Sequence, residues 1–152
     1  MPERAADPCT FCAIVAGSLA AAVVYEDADF FAFLDNRPLF PGHVLLCPRA
    51  HFETLLELPP ALSRNTMPLI QLLAQAVELA TTAEGSFIAV NNRVSQSVPH
   101  LHIHIVPRRR GDGLKGFFWP RAKYESDAAL EKTRSAIETE ITRLRSSHAV
   151  TL

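Results

Sequence analysis

The sequence predicts an α+β fold, a mainly antiparallel five-stranded sheet with one long central helix and a C-terminal helix. Five short apolar runs bounded by turn residues read as strands. Two longer stretches repeat apolar residues at helical spacing. The order, three strands, a helix, two strands and a helix, favours hairpin pairing over parallel crossovers.

The elements follow along the chain. Residues 1–8 are polar and proline-bearing and read as a loose segment, and Phe11 to Val15 suits a short helical turn stopped at Gly17. Ala22–Tyr25 and Phe30–Leu34 flank the acidic turn Glu26-Asp27-Ala28-Asp29, a hairpin pattern. Pro38, Pro41 and Gly42 make a loop before the third strand, His43–Cys47. A helix begins near Pro59-Pro60, carries Leu69, Leu72, Leu73, Ala76, Val77 and Ala80 at helical spacing, and stops at Gly85. Pro68 predicts a kink or a fresh start near Thr66, because an interior proline removes a hydrogen bond and clashes one turn back. Phe87–Val90 and Leu101–Val106 are the fourth and fifth strands, paired across the polar loop 91–99. The last helix, about Asp127–Arg145 within the segment 126–147, puts Leu130, Ile137, Ile141 and Leu144 on one face. One domain over residues 1–152 is expected.

Composition narrows the function. With 48% hydrophobic and 20% charged residues, the 152-residue chain is globular rather than disordered. A formal net charge of -1 gives no global field for a duplex nucleic acid, so any anion site must be local. No apolar run is long enough to span a bilayer and no signal-like segment opens the chain, so the cytoplasm is the expected compartment. Cysteines 9, 12 and 47 are odd in number. Cys9-Thr10-Phe11-Cys12 has metal or redox spacing, while Cys47, after Val44-Leu45-Leu46, reads as a small buried hydrophobe.

In Pro99-His100-Leu101-His102-Ile103-His104-Ile105-Val106 polar and apolar residues alternate from His100 to Ile105, so on a strand the three histidines share one face while Leu101, Ile103 and Ile105 share the other. Half of the chain's six histidines fall within five residues, which argues against an ordinary exposed face. Spacing alone leaves two readings open: a three-histidine metal site, or a set of imidazoles directed at a phosphate.

The run from His100 to Val106 resembles the signature of the histidine triad (HIT) family, three histidines alternating with hydrophobic residues and two hydrophobics after them. Phe33-Leu34-Asp35, Pro41-Gly42-His43 leading into Val44, and Gln96-Ser97-Val98 resemble family segments in the same order, over roughly residues 9–121. The resemblance implies that His102 is a nucleophile attacking the α-phosphate of a nucleotide to form a nucleotidyl-histidine. It implies that His104 donates to a phosphate oxygen or leaving group, that Gln96, Ser97 and Asn91 bind near the phosphates, and that Asp35 takes the ribose hydroxyls. Ser95 stands where the family usually has glycine. His104, where transferases and phosphorylases of the superfamily typically carry glutamine, points to the hydrolase-type branch.

In relatives that keep a C-x-x-C, the resemblance implies a structural Zn2+ held by Cys9, Cys12, His51 and His100, with no organic cofactor. Free thiols and a surface His51 are the alternative. The expected activity is hydrolysis of a purine, adenosine-type, nucleotidyl phosphoramidate, phosphoester or dinucleoside polyphosphate by a homodimer without membrane or duplex partners. A nucleotidyltransferase or a nucleotide-binding sensor are the alternatives. Arg108-Arg109-Arg110 could reach phosphates but reads better as a solvated face, and the aromatic patch Phe117-Phe118-Trp119 could pack on the sheet, form a base pocket or meet a partner subunit, of which the resemblance favours the last two. His43 and His148 have no visible partner and read as surface or structural residues.

Overall fold

The computed structural model describes residues 9–114 and 122–147, which leaves the patch at 117–119, His148 and the segment 1–8 outside the described residues. Two compact units are distinguished, residues 1–112 and 113–152. In the first, β1 (Val23–Glu26), β2 (Phe30–Leu34), β3 (Val44–Pro48), β4 (Gly85–Val90) and β5 (Ile103–Arg108) form one sheet of order β1-β2-β3-β5-β4, with every pairing antiparallel. The acidic turn closes the first hairpin as its composition predicts. Asp27 accepts from the backbone amides of Asp29 and Phe30 at 2.8 and 2.7 Å, an aspartate turn that needs no glycine.

Helices cover both faces of the sheet, which is why β2 and β3 are almost continuously apolar. On one face, Phe30, Ala32, Val44, Leu46, Ile103 and Ile105 pack against Leu69, Leu73 and Val77 of α2 (Pro60–Thr81). On the other, Phe31, Phe33, Leu45 and Cys47 pack with Phe11 of α1 (Thr10–Val15). Cys47 is fully buried, as expected, and burial pushes its thiol up.

The sequence expectation and the structure differ at three places. α2 runs unbroken through Pro68 instead of restarting at Thr66, whose buried hydroxyl donates to the Leu62 carbonyl on the core face. Pro68 and Arg64 are exposed, so the Arg64 carbonyl that loses its amide donor stays hydrated. β4 starts at Gly85, where a helix stop was expected, because α2 already ends at Thr82 in a left-handed conformation (φ 51). β5 starts at Ile103, two residues later than the alternation implies. The amides of His100 and Leu101 bond to the carbonyls of Val98 and Phe52 at 2.8 and 2.6 Å, outside the strand ladder, so of the three histidines only His104 sits on the strand.

Gly42, in the loop before β3, has φ +96, and an added Cβ would lie 2.5 Å from the Thr81 side chain at the end of α2. Gly42→Ala therefore combines left-handed strain with overpacking, and urea unfolding should show a loss of roughly 2–4 kcal/mol.

The second unit carries α3 (Asp127–Ser146). Ser126 accepts from the Ala129 amide at 3.1 Å, and Asp127 near the start with Arg143 and Arg145 near the end match the helix dipole. Among the described residues, no helix is long and apolar enough to cross a membrane.

Candidate active site

The site lies on the α1 face of the sheet. His104 on β5 stands opposite Leu45 on β3 and Ala89 on β4. The ring of His102, in the extended segment just before β5, lies 4.9 Å from that of His104. Both imidazoles line a cleft of about 710 Å³, within the ordinary range for small-ligand sites. Its wall is apolar, with Phe11, Ile14, Leu19, Phe33 and Leu45, and Asp35, Asn36, Ser97 and Thr10 add polar groups.

Hydrogen bonds assign the ring protons. The Nδ1 of His102 lies 2.7 Å from the carbonyl of His100, which can only accept, so Nδ1 carries the proton and Nε2 keeps its lone pair. His104 is held differently. Its Nδ1 lies 3.0 Å from Nε2 of His43, whose own Nδ1 accepts from the Leu39 amide at 3.2 Å. His43 must then donate through Nε2, so Nδ1 of His104 accepts and its Nε2 carries the proton. The two triad imidazoles in the cleft thus present a lone pair and an N–H.

Burial pushes His104 down to about 4, helped by neighbouring His102 and His43 and opposed by Asp35. Burial also lowers His43 and His100. Since the unfolded chain binds these protons near 6.5 and the native state only at lower pH, stability present at pH 7 is lost as pH falls from about 6.5 toward 4. Denaturant midpoints measured across that window should fall with pH, and the slope should shrink in His104→Gln.

Of the surface and structural roles expected for His43, the surface one is excluded. His43 is 3% exposed, bonded to His104, and its Nδ1 lies 3.7 Å from Asp35, so it belongs to the site and not to the surface. A signal existed. His43 is two residues before Leu45, the partner of His104 across the ladder, so the period of a strand puts it on the same face.

Of the expected ligand-binding residues, Asp35, Ser97, His102 and His104 line the cleft. Asn91 and Gln96 do not. The Asn91 amide donates to the Ser95 carbonyl at 3.2 Å, and Gln96 accepts from the Arg93 amide at 2.8 Å and donates to the Glu53 carbonyl at 2.6 Å. Both close a short loop in which Arg93 and Ser95 adopt left-handed φ of 68 and 62. Ser95 thus occupies a conformation that favours glycine. The arginine run stays local: Arg108 forks onto Asp112 at 2.6 and 2.9 Å, Arg109 bonds the Thr81 carbonyl, and the Arg110 amide bonds Glu84. None of the three lines the cleft.

Behind the cleft, Cys9, Cys12, His51 and His100 bring one ligand atom each within 4.8 Å of one another. Nδ1 of His100 lies 3.3 and 3.5 Å from the sulfurs of Cys9 and Cys12, and Nδ1 of His51 lies 3.3 Å from that of Cys12. Tetrahedral zinc bonded to sulfur and nitrogen at ordinary lengths implies S···N separations of roughly 3.5 Å, so the set fits that ion. His100 also donates through Nε2 to the Pro48 carbonyl at 2.8 Å, which turns Nδ1 toward the thiols in the way an outer partner orients a ligand histidine. The three histidines of the triad do not converge on one point. His100 turns to the sulfurs and His102 to a carbonyl, which disfavours the three-histidine metal site.

The sequence profile of the HIT domain matches residues 16–111. The chain belongs to the HIT family. Among its HIT relatives, an uncharacterized HIT-like protein of Mycobacterium tuberculosis is 38% identical over 109 residues, 70% of this chain and 76% of that protein. The adenylylsulfatase HINT3 of Arabidopsis thaliana is 36% identical over 108 residues, 70% of this chain and 55% of that one. The adenosine 5'-monophosphoramidase HNT1 of Candida albicans is 28% identical over 142 residues, 90% of this chain and 93% of that one. Among solved HIT structures, a family member from Bacillus subtilis superposes with a TM-score of 0.78 at 32% identity, covering 88% of this chain and 96% of that one. A zinc-bound histidine triad protein from Mycobacterium smegmatis gives 0.67 at 37% identity, covering 85% and 97%. The α+β fold expected from the sequence is the HIT fold, and hydrolases of nucleotide substrates occur among the relatives.

Proposed function

We propose that this chain hydrolyses adenosine-type nucleotidyl substrates at the α-phosphate through a nucleotidyl-His102 intermediate. The observation that carries this reading is the 2.7 Å bond from His102 Nδ1 to the His100 carbonyl, which leaves Nε2 as a fixed nucleophile in the cleft. In the first step the Nε2 lone pair forms a bond to phosphorus while the bond to the leaving group breaks. The leaving group departs with the electron pair, steadied by the N–H of His104. In the second step water attacks phosphorus, the P–N bond breaks with its electron pair returning to Nε2 of His102, a nucleoside monophosphate leaves, and the proton given up by water passes through solvent to the departed leaving group. Asp35 takes the ribose hydroxyls, Ser97 a phosphate oxygen, and the wall of Phe11, Ile14, Leu19 and Phe33 holds the base. Asn91 and Gln96 support the phosphate-side loop by the bonds that close it.

Cys9, Cys12, His51 and His100 are proposed to hold one structural zinc per chain, which when bound supplies no reactive water because all four positions are protein ligands. A homodimer agrees with an edge strand β4 that exposes Ile88 and with Met67, Leu72 and Leu79 exposed on α2. Sedimentation should show twice the chain mass. The cytoplasm remains the proposed compartment.

Assays of monophosphate release from adenosine and guanosine phosphoramidates, adenylylated amines, adenylylsulfate and dinucleoside polyphosphates test the function. Turnover of at least one, fastest with adenosine, is expected. Formation of nucleoside diphosphate that requires added inorganic phosphate would favour the transferase, and tight monophosphate binding without any turnover would favour a sensor.

A further inference from the structure

We infer that metal loading at the Cys9, Cys12, His51, His100 cluster sets the working geometry of the nucleophile, so that the centre positions His102 and does more than staple the fold. The inference rests on the zinc reading above and concerns what this chain's residues do with that ion.

His100 joins the two sites. It is fully buried and held at three points: Nδ1 faces the sulfurs of Cys9 and Cys12, Nε2 donates to the Pro48 carbonyl, and its own carbonyl accepts the Nδ1 proton of His102. Only Leu101 separates the metal-facing ring from the nucleophile, and the Leu101 amide is itself tied to the Phe52 carbonyl at 2.6 Å. The ring contacts anchor the His100 backbone, so loss of the metal-facing anchor lets that backbone shift and with it the carbonyl that fixes the His102 proton.

A second connection runs through α1. Phe11 lies between the two cysteines, and its ring meets that of His102 edge-on, with centroids 5.2 Å apart at 89°. The same ring contacts Phe33 at 5.2 Å and His100 at 5.8 Å and forms part of the cleft wall. Its helix has six residues, too few to persist without tertiary support. The N-terminal turn is capped by Cys9 itself, whose sulfur accepts from the Cys12 amide at 3.4 Å. Emptying the cluster would thus release the cap, the Phe11 wall and the His100 ring together. His102 would then be free to place its proton on Nε2, where it blocks the lone pair.

The test compares the full chain loaded with zinc, stripped by a chelator and reloaded, together with a His51→Ala variant. His51 is the exposed ligand, and it does not line the cleft. Its removal weakens the cluster so that a mild chelator empties it while Cys9, Cys12 and His100 remain. Four quantities are read: metal content, the His102 tautomer from nitrogen-15 imidazole spectra, AMP affinity and the rate of monophosphate release. Loaded protein should show His102 protonated at Nδ1 alone. Emptied protein should show mixed tautomers and weaker AMP binding. Its rate should be roughly tenfold lower, the factor that one hydrogen bond of ordinary net strength controls, and zinc should restore it. An unchanged tautomer and rate in emptied His51→Ala overturns the inference even if the stripped wild-type chain unfolds. Absence of bound metal in every sample overturns the zinc reading as well, and the metal content tells the two failures apart.

Discussion

His102→Asn is expected to lower monophosphate release on the order of 10³-fold or more while leaving AMP affinity within a few-fold of the parent protein. Loss of a nucleophile commonly has effects of this size, because the groups that remain have no covalent route to assist. Asparagine is the informative replacement. Its side-chain amide nitrogen lies close to where the imidazole Nδ1 stood and can still donate to the His100 carbonyl, so the segment before β5 keeps its bond. The variant loses the lone pair at Nε2 and the ring edge that meets Phe11. Asp35, Ser97 and the apolar wall are untouched, which is why binding should persist. Rapid-quench trapping should find radiolabelled nucleotide on the parent protein and none on the variant. Turnover at the parent rate in His102→Asn would remove the covalent route altogether.

The sequence showed more about which residues belong to the site than about how they are held. Alternation from His100 to Ile105 singled out the triad, yet it implied one strand face bearing three equivalent imidazoles. The structure gives them three different partners, because His100 and Leu101 make their backbone bonds outside the ladder and let the chain bend before Ile103. Periodicity reports spacing along the chain. It carries no information on which carbonyl or sulfur a ring nitrogen will meet. Tertiary packing also decided the helix with Pro68, where burial of Leu69, Leu73 and Val77 outweighed one missing hydrogen bond. Phe11 gave no sign in the sequence beyond lying between two cysteines. Its place against His102 depends on where α1 docks, a long-range contact that local pattern does not encode. The loop 91–99 is the converse case, since its serine in a position favouring glycine was visible as an oddity and only the left-handed φ gave it meaning.

The second large effect is expected at His43. His43→Leu should lower kcat by roughly 10²-fold, with AMP affinity little changed, because it removes the donor that fixes the His104 proton. Without that donor, Nδ1 of His104 faces an apolar side chain. Neither tautomer is then fixed, and whenever the proton sits on Nδ1 the cleft-facing nitrogen becomes an acceptor set against anionic phosphate oxygens. Leaving a buried nitrogen without a partner costs about 1–3 kcal/mol, so denaturation should register a loss as well. Stability loss alone would not change a tautomer, and that separates the two effects. His43→Gln keeps an N–H donor near the original Nε2 and should recover most of the rate, whereas His43→Leu and His43→Phe should not. Nitrogen-15 spectra of His104 should report Nε2–H in the parent and in His43→Gln, and a mixture of the two tautomers in His43→Leu. Equal rates in the leucine and glutamine variants, or a parent-like tautomer in His43→Leu, would reduce His43 to a packing residue. In that event the His104 proton would be fixed by something other than His43.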